Sequence, residues 1–428
     1  MVAMREVSVS MVSKVSVVAV SVRTKLHIFA IVSILLLSMR NLTKEWSLTK
    51  GKRGVAKGGA VMQSALAAYI LHDQLFDKPV NTTEVEPLWN TSAHLPGWMK
   101  EYFDWHLSQV KLLNETNWKD QRFLVMRCLD TDNVCGGASD RLQSIPAIIL
   151  MANQTRRLFF IKWSRPAPLQ EFLVPPDGGL DWRVPDWLDQ RLHYANSALV
   201  KGDSAQALRQ VARPIQLVTV RHQTSGHGDA YYNSMLSGNE LGFRQVFGEV
   251  WRTLFVPAKP VAAQIEELMN KLRLVPGRYV AAHLRSRYIR DESSNEVIEN
   301  SVNCASELGP GQPVYFASDS LNATKYAVGY GQRVNGTVVA RLGGSEPLHL
   351  DRGAEFLKRS DGWRGLPASA FYNVFVDLYL LSNAACIAHG VGGYGRWASM
   401  LSYNSSCARR HSKTTCGWAP AVKPVEMP

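Results

Sequence analysis

Three short stretches of this 428-residue chain collect side chains able to handle a charged ligand. His283-Leu284-Arg285-Ser286-Arg287 closes the apolar run that begins at Tyr279. Ser318-Asp319-Ser320 closes the run PVYFAS. His389-Gly390-Val391-Gly392-Gly393-Tyr394-Gly395 follows the run ACIA. Arginine presents paired N–H donors that match phosphate oxygens, and a glycine-rich turn opening a helix lets backbone amides approach them closely. Asp319 can accept a hydrogen bond from a base or ribose hydroxyl. Together these residues are the set expected for a nucleoside diphosphate. Singly each has a plainer reading. Ser318 or Ser320 can cap the next helix, Arg287 can sit at the surface, His389 can be a loop histidine, and the glycines can form a tight turn.

The elements that must position these residues alternate in type. Arg122–Leu129 reads as a strand, Asp140–Asn153 as a helix despite Pro146, and Leu158–Trp163 as the next strand, a βαβ unit. Gly242–Leu274 reads as two helices separated by Pro257. From Tyr279 a second alternation begins. Its expected strands are Tyr279–Leu284, Pro313–Ser318, Thr337–Arg341 and Ala384–Ala388. Its expected helices are Asp291–Leu308, Leu321–Tyr330, an amphipathic Phe371–Ser382, and Arg396–Ser402 after the glycines. The fold class is therefore α/β, with two facing Rossmann-like domains. In such sheets ligands bind beyond the carboxyl ends of the strands, where the three stretches fall. The expected organisation is a cytosolic tail over 1–25, a signal-anchor or signal segment over 26–39, a stem or approach segment over 40–118, an N-terminal acceptor-side domain over 119–256, a C-terminal donor domain over 257–405 and a tail over 406–428.

These motifs resemble a known family. CGGASDRLQSIPAIILMANQTRRLFFIKW (Cys135–Trp163) looks like the donor-side loop, helix and strand of GDP-fucose-dependent fucosyltransferases. HLRSRY resembles their His-x-Arg motif, and VYFASDS their Ser/Thr-Asp motif. Phe375–Ala398 resembles their last motif, a helix with Asp-Leu, a strand and a small-residue loop. The match runs in order over about residues 120–405. It is to the superfamily joining α-1,6-, α-1,2- and protein O-fucosyltransferases. The resemblance implies a GT-B-like fold with the donor site in the cleft, transfer with inversion, and no metal or other cofactor beyond GDP-fucose as co-substrate. It maps the pyrophosphate-binding arginine to Arg285, assisted by His283. It implies donor contacts from Gly136, Gly137, Asp140, Arg141, Ser318, Asp319, Ser320, Gly392, Gly393 and Tyr394. Two departures stand out. Ser286-Arg287-Tyr288 separates the His-x-Arg motif from the first acidic residue, Asp291. Glycines replace the hydroxyls expected in the last loop, so backbone amides must take their place. Candidates for the base that deprotonates an acceptor are Asp291, Glu292 and Asp229.

Two other functions compete. Asp130-Thr131-Asp132 has the D-x-D form that holds a divalent cation on a UDP-sugar in metal-dependent glycosyltransferases. The missing loop hydroxyls also suit a lumenal glycan-binding protein without turnover. Charge argues against a nucleic-acid partner. Of the net +12, residues 1–60 hold +8, from ten Lys/Arg and two Asp/Glu, so the body is close to balanced.

Leu26–Met39 is an apolar run of 14 residues. As a helix it would span ~21 Å against a ~30 Å hydrocarbon core. Flanking charges, net +3 over 1–25 and net +5 over 40–57, leave its orientation open. Asn-x-Ser/Thr occurs eight times, at Asn41, Asn81, Asn90, Asn114, Asn153, Asn322, Asn335 and Asn404. Chance gives about two, so a Golgi or ER lumenal, single-pass type II placement is expected. The implied partners are a nucleotide sugar, a glycan or glycoprotein acceptor, and a membrane through the N-terminal segment. Sequence proximity suggests the disulfides Cys128–Cys135 and Cys407–Cys416, leaving Cys304 for Cys386.

Overall fold

The structure is a computed structural model that describes residues 85–132, 135–194, 197–200, 209–220, 240–289, 294–343, 348–350, 364–402, 404 and 406–418. Every described residue lies in one compact unit, Met62–Pro428. That unit is mixed α/β with two largely parallel sheets. The strands are β1 (Phe123–Cys128), β2 (Leu158–Trp163), β3 (Leu173–Val174), β4 (Ala198–Val200), β5 (Leu217–Val220), β6 (Val256–Pro257), β7 (Val280–Leu284), β8 (Val314–Ser318), β9 (Val338–Val339), β10 (Cys386–His389), β11 (Ala408–His411) and β12 (Cys416–Trp418). One sheet has the order β2-β1-β5-β4, all parallel. The other has the order β12-β11-β10-β7-β8-β9, parallel except for the antiparallel edge strand β12. β3 and β6 form a small antiparallel pair.

The principal helices are α1 (Gly97–Leu112), α2 (Ala138–Leu142), α3 (Ile145–Gln154), α4 (Glu240–Leu254), α5 (Lys259–Leu272), α6 (Ser294–Leu308), α7 (Leu321–Arg333), α8 (Tyr372–Ser382) and α9 (Gly393–Leu401). The single helix expected over 140–153 is two helices. Pro146 stands in the first turn of α3, where its missing N–H costs nothing, and Gln143-Ser144 make the break.

Parallel strands covered on both faces read as unbroken apolar runs, which is why their positions are legible. Alternation still decides which way each side chain points. In β7, Val280, Ala282 and Leu284 face one apolar cluster with Val314 and Phe316. Tyr279 and Ala281 face a larger one with Tyr315, Ala317 and Ile387. By the same period of two, His283 and His389 point to the larger side. That core runs without interruption from Trp89 to Met400 and includes Leu124, Met126, Phe159 and Ile161 of the first sheet.

The structure departs from the sequence reading in several places. α8 is not amphipathic: nine of its eleven residues are buried, and Phe375 stacks on Phe172 at 4.8 Å. A helix buried all round presents no polar stripe. α1 lies inside the stretch expected as a stem, yet it buries Met99, Tyr102, Phe103 and His106. Trp89 packs on Phe103 at 5.6 Å and donates to Asp104 at 2.8 Å. Residues 408–411 and 416–418, in the expected tail, are strands of the second sheet. The last helix begins at Gly393, inside the glycine run, rather than at Arg396.

Cys128–Cys135 forms as expected, but the other two pairs are Cys304–Cys416 and Cys386–Cys407. Strand register is the reason. Parallel pairing sets Ile387 opposite Ala408, so Cys386 and Cys407 lie side by side with Cα atoms 5.0 Å apart. Antiparallel pairing sets Cys416 opposite His411, four residues from Cys407. Among the described residues no helix is long and apolar enough to cross a membrane. The 26–39 segment lies outside the described residues.

Candidate active site

The carboxyl ends of β7, β8 and β10 open on one cavity of about 190 Å³. The α2 loop and the segment 348–350 complete its wall. Of the residues singled out in the sequence, Gly137, Asp140, His283, Arg285, Ser318, Asp319, Gly392, Gly393 and Tyr394 line it. Ser320 does not. It caps α7 by accepting from Ala323 N at 3.3 Å. Gly136 and Arg141 lie behind the wall. Arg141 is fully buried, donating from Nε to Gly136 O at 2.9 Å and from a terminal nitrogen to Arg165 O at 2.7 Å. Its guanidinium stacks on Trp163 at 4.6 Å. Arg141 therefore shapes the loop rather than touching the cavity. Asp291, Glu292 and Asp229 lie outside the described residues.

Arg285 is the cation at the end of β7, with its side chain 16% exposed and its Nε 3.8 Å from Asp319 Oδ2. Burial raises the Asp319 pKa, opposed by the Arg285 guanidinium and by a hydrogen bond from Arg287 N at 3.3 Å. Arg287, expected at the surface, lines the cavity and donates from Nε to Asp319 O at 3.0 Å. Opposite Arg285, α9 is preceded by Gly392, whose φ of 96° and ψ of 162° suit only glycine. A Cβ there would come 3.2 Å from Arg285 Cδ. No side chain caps this helix, and Gly392, Gly393 and Tyr394 at its start line the cavity, which puts the positive end of its dipole at the wall.

His283 is held neutral. Burial, then the neighbouring His389, His411 and Arg285, push its pKa down to about 3. Its ring lies 5.0 Å from that of Tyr394, and its carbonyl is 3.1 Å from His411 Nε2. Gly395 is wedged against it: a Cβ there would meet His389 Cβ at 2.6 Å and His283 Nδ1 at 2.7 Å. Below, Asp377 accepts from the Tyr315 hydroxyl at 2.8 Å and lies 3.5 Å from Arg341 Nε. Burial raises its pKa, with Arg341 opposing. The Tyr394 hydroxyl donates to Val374 O.

The α2 loop forms the facing wall. Gly137 N donates to Asp140 Oδ2 at 2.8 Å, and the Cys128–Cys135 bridge ties the start of the loop to the end of β1. Gln143 Nε2 donates to Gly393 O at 2.8 Å, coupling this wall to the start of α9.

Asp130 and Asp132 do not reach the cavity. Asp132 is buried and accepts from Arg127 at 2.9 Å and from Leu129 N at 2.9 Å. Asp130 accepts from Ser164 at 2.7 Å. Their oxygens hold a turn together. Among the described residues no group of three His, Cys, Asp or Glu is placed to hold a metal ion.

Sequence reasoning missed His349, with Leu348 and Leu350 beside it, and Asp377 on α8. Asp377 had a signal, a lone carboxylate in an otherwise apolar helix. The Leu-His-Leu alternation marks His349 only once Leu350 is known to be buried and Leu348 to pack against the core.

No family model matches the chain, and no curated protein matches it. Among solved structures it is similar to the crystal structure of fucosyltransferase NodZ from Bradyrhizobium, at 16% identity over 68% of this chain and 94% of that one, with a TM-score of 0.42. The selenomethionine form of that enzyme matches at 16% identity over 69% and 97%, with a TM-score of 0.43. Likeness at this level carries no inference about chemistry, so the reading of function stands on the cavity.

Proposed function

We propose that this chain is a glycosyltransferase that moves fucose from GDP-fucose to a hydroxyl of a glycan or glycoprotein, with inversion and without a metal. The observation that carries this reading is the placing of Arg285 and the uncapped start of α9 on one cavity. A guanidinium and a helix N-terminus together suit a diphosphate. In the reaction the acceptor oxygen bonds to the anomeric carbon as the bond to the β-phosphate breaks. The electron pair leaves on GDP. Arg285 and the α9 amides then meet the charge growing on the leaving oxygen, which is where preorganised donors lower the barrier most. Neutral His283 packs beside Arg285 and keeps a second cation out of the floor. Asp319 orients Arg285. In this reading the two sheets form a GT-B-like pair with the donor in the cleft. The enzyme works in the Golgi or ER lumen, held to the membrane by its N-terminal segment.

The test is GDP release by the full chain from GDP-fucose, GDP-mannose and UDP-sugars, with and without EDTA, alongside Arg285→Ala. Release from GDP-fucose alone, indifferent to EDTA and reduced at least a hundredfold in the variant, supports the proposal. EDTA-sensitive use of a UDP-sugar refutes it. GDP binding without turnover under any condition identifies a binding protein instead.

A further inference from the structure

The Asn-x-Ser/Thr sites take no part in the cavity, and the structure sorts those among the described residues into two groups. An N-glycan is placed on Asn where a Ser or Thr stands two residues on, so the transferring enzyme has to reach both the amide and that hydroxyl. At Asn153 the side chain is half-buried in the last turn of α3, and Thr155 is buried, its hydroxyl donating to Met151 O at 2.7 Å. At Asn322 the amide is exposed in the first turn of α7, but Thr324 is buried and donates to Ser320 O at 2.9 Å. After Asn90, the hydroxyl is that of Ser92, which is buried and accepts from Leu95 N at 3.3 Å.

Asn114, Asn335 and Asn404 differ. Each lies outside a helix, and in each site both the Asn and the hydroxyl residue, Thr116, Thr337 or Ser406, are exposed. Thr116 donates to Asn114 Oδ1 at 2.7 Å and Ser406 to Asn404 Oδ1 at 2.6 Å, so these hydroxyls bond within their own site rather than to the core. The three also share a place in the fold. The cavity lies at the carboxyl ends of the strands. α7 starts at that end, after β8, and over 13 residues, about 20 Å, runs back to Asn335 at the amino end of β9. α9 likewise starts at the cavity and returns to Asn404, just before β11. Asn114 precedes β1, in the connection whose Trp118 and Lys119 carbonyls accept from Gln216, the residue ahead of β5. Asn322 stands at the other end, two residues after the Ser320 cap. The disulfides give the compartment separate support. All six cysteines are paired, which suits an oxidising lumen.

We propose that Asn114, Asn335 and Asn404 carry N-linked glycans, on the face of the protein opposite the cavity, and that Asn90, Asn153 and Asn322 stay bare. This rests on the lumenal placement proposed above, and not on the identity of the donor. At each site Nδ2 bonds to the anomeric carbon of an oligosaccharide supplied as a lipid-linked diphosphate. The bond from that carbon to the phosphate oxygen breaks, its electron pair leaves on the diphosphate, and Nδ2 gives up one of its two protons.

The full chain is made in a eukaryotic secretory cell, treated with peptide N-glycosidase in heavy-oxygen water, and mapped by mass spectrometry. The enzyme deamidates only the asparagines that carried glycan and marks each with heavy oxygen. The mark is expected at Asn114, Asn335 and Asn404, at occupancies about tenfold or more above those at Asn90, Asn153 and Asn322. Asn114→Gln, Asn335→Gln and Asn404→Gln should each remove one glycan step from the untreated protein on a gel. The peptide map is read on the parent, so it stands even where a variant folds poorly. Marks at Asn153, Asn322 or Asn90 as frequent as at the other three overturn the sorting by exposure, while the lumenal placement stands. No mark at any of the six overturns the lumenal placement and this inference with it.

Discussion

Replacing Gly395 by alanine tests how tightly the floor of the cavity is packed. Gly395 lies in the first turn of α9, and alanine in a helix is ordinarily favoured over glycine by roughly 0.5–1 kcal/mol. Here the new Cβ would stand 2.6 Å from His389 Cβ and 2.7 Å from His283 Nδ1. Neither neighbour is the far end of a flexible chain. His389 Cβ is fixed to the β10 backbone, and both imidazoles are buried. Forcing a methyl into a filled core costs about 1–3 kcal/mol, so overpacking exceeds propensity and the net loss is about 1–2 kcal/mol. The relief available is a shift of His283 or of the α9 start, and either moves the surfaces assigned to the diphosphate. A tenfold loss of GDP affinity corresponds to about 1.4 kcal/mol, the scale expected. The control is Gly329→Ala in α7, where the nearest atom is the end of Arg333 at 3.8 Å. That change should stabilise by up to about 1 kcal/mol and leave GDP binding untouched. Urea unfolding and calorimetry read both variants. If Gly395→Ala is as stable as Gly329→Ala and binds GDP equally well, the packing argument for the floor is refuted.

Other expectations follow from the same contacts. Burial holds His389 and His411 near pKa 4 and His283 near 3, against an ordinary 6.5. The unfolded chain therefore takes up these protons at higher pH than the folded one, and stability present above pH 6.5 should fall as pH drops toward 4. One such histidine is worth on the order of 3 kcal/mol. Asp319 and Asp377, with raised values, act in the opposite sense, so urea unfolding of His411→Gln beside the parent, from pH 7.5 to 4.5, should show a shallower slope in the variant. Asp132→Asn should cost about 1–3 kcal/mol by weakening the bonds to Arg127 and Leu129 N, while GDP affinity stays constant. A parallel loss of GDP affinity there would return Asp132 to the donor site. Peptide mapping of the unreduced protein should recover Cys304 with Cys416 and Cys386 with Cys407. A Cys407–Cys416 peptide would refute the register given for the sheet edge.

The strands were legible in the sequence because a doubly covered parallel strand is a continuous apolar run, and Leu158–Trp163 is found where it was expected. The residues at strand ends were legible for a related reason. Arg285 and Asp319 break such runs at their carboxyl ends, where a polar side chain has an opening to face. Partners set by register were not legible. Cys386 and Cys407 are neighbours only because β10 and β11 run parallel, which no spacing along the chain reveals. Arg141 looked like a ligand contact because its motif places it beside two glycines, yet those glycines make the turn that buries it. The expected amphipathic helix over 371–382 depended on there being solvent on one side, and the neighbouring elements remove it. His349 carries no local mark, since its exposure to the cavity depends on Leu348 and Leu350 finding the core.

The strand order β12-β11-β10-β7-β8-β9 also bears on how the protein is made. β7, β8 and β9 leave the ribosome together, but the strand that must lie along the other side of β7 is β10, which follows the whole of α8. Until residue 389 has emerged, β7 presents an open edge of unpaired amides and carbonyls beside apolar side chains. The nascent chain therefore carries Arg285 before it carries the glycine turn that faces it, and a chain stopped in that interval has half a site and a sheet edge ready to pair with another copy. Newly made protein should depend on chaperones most during that interval, and truncations ending between β9 and β10 should aggregate rather than accumulate as a smaller folded domain.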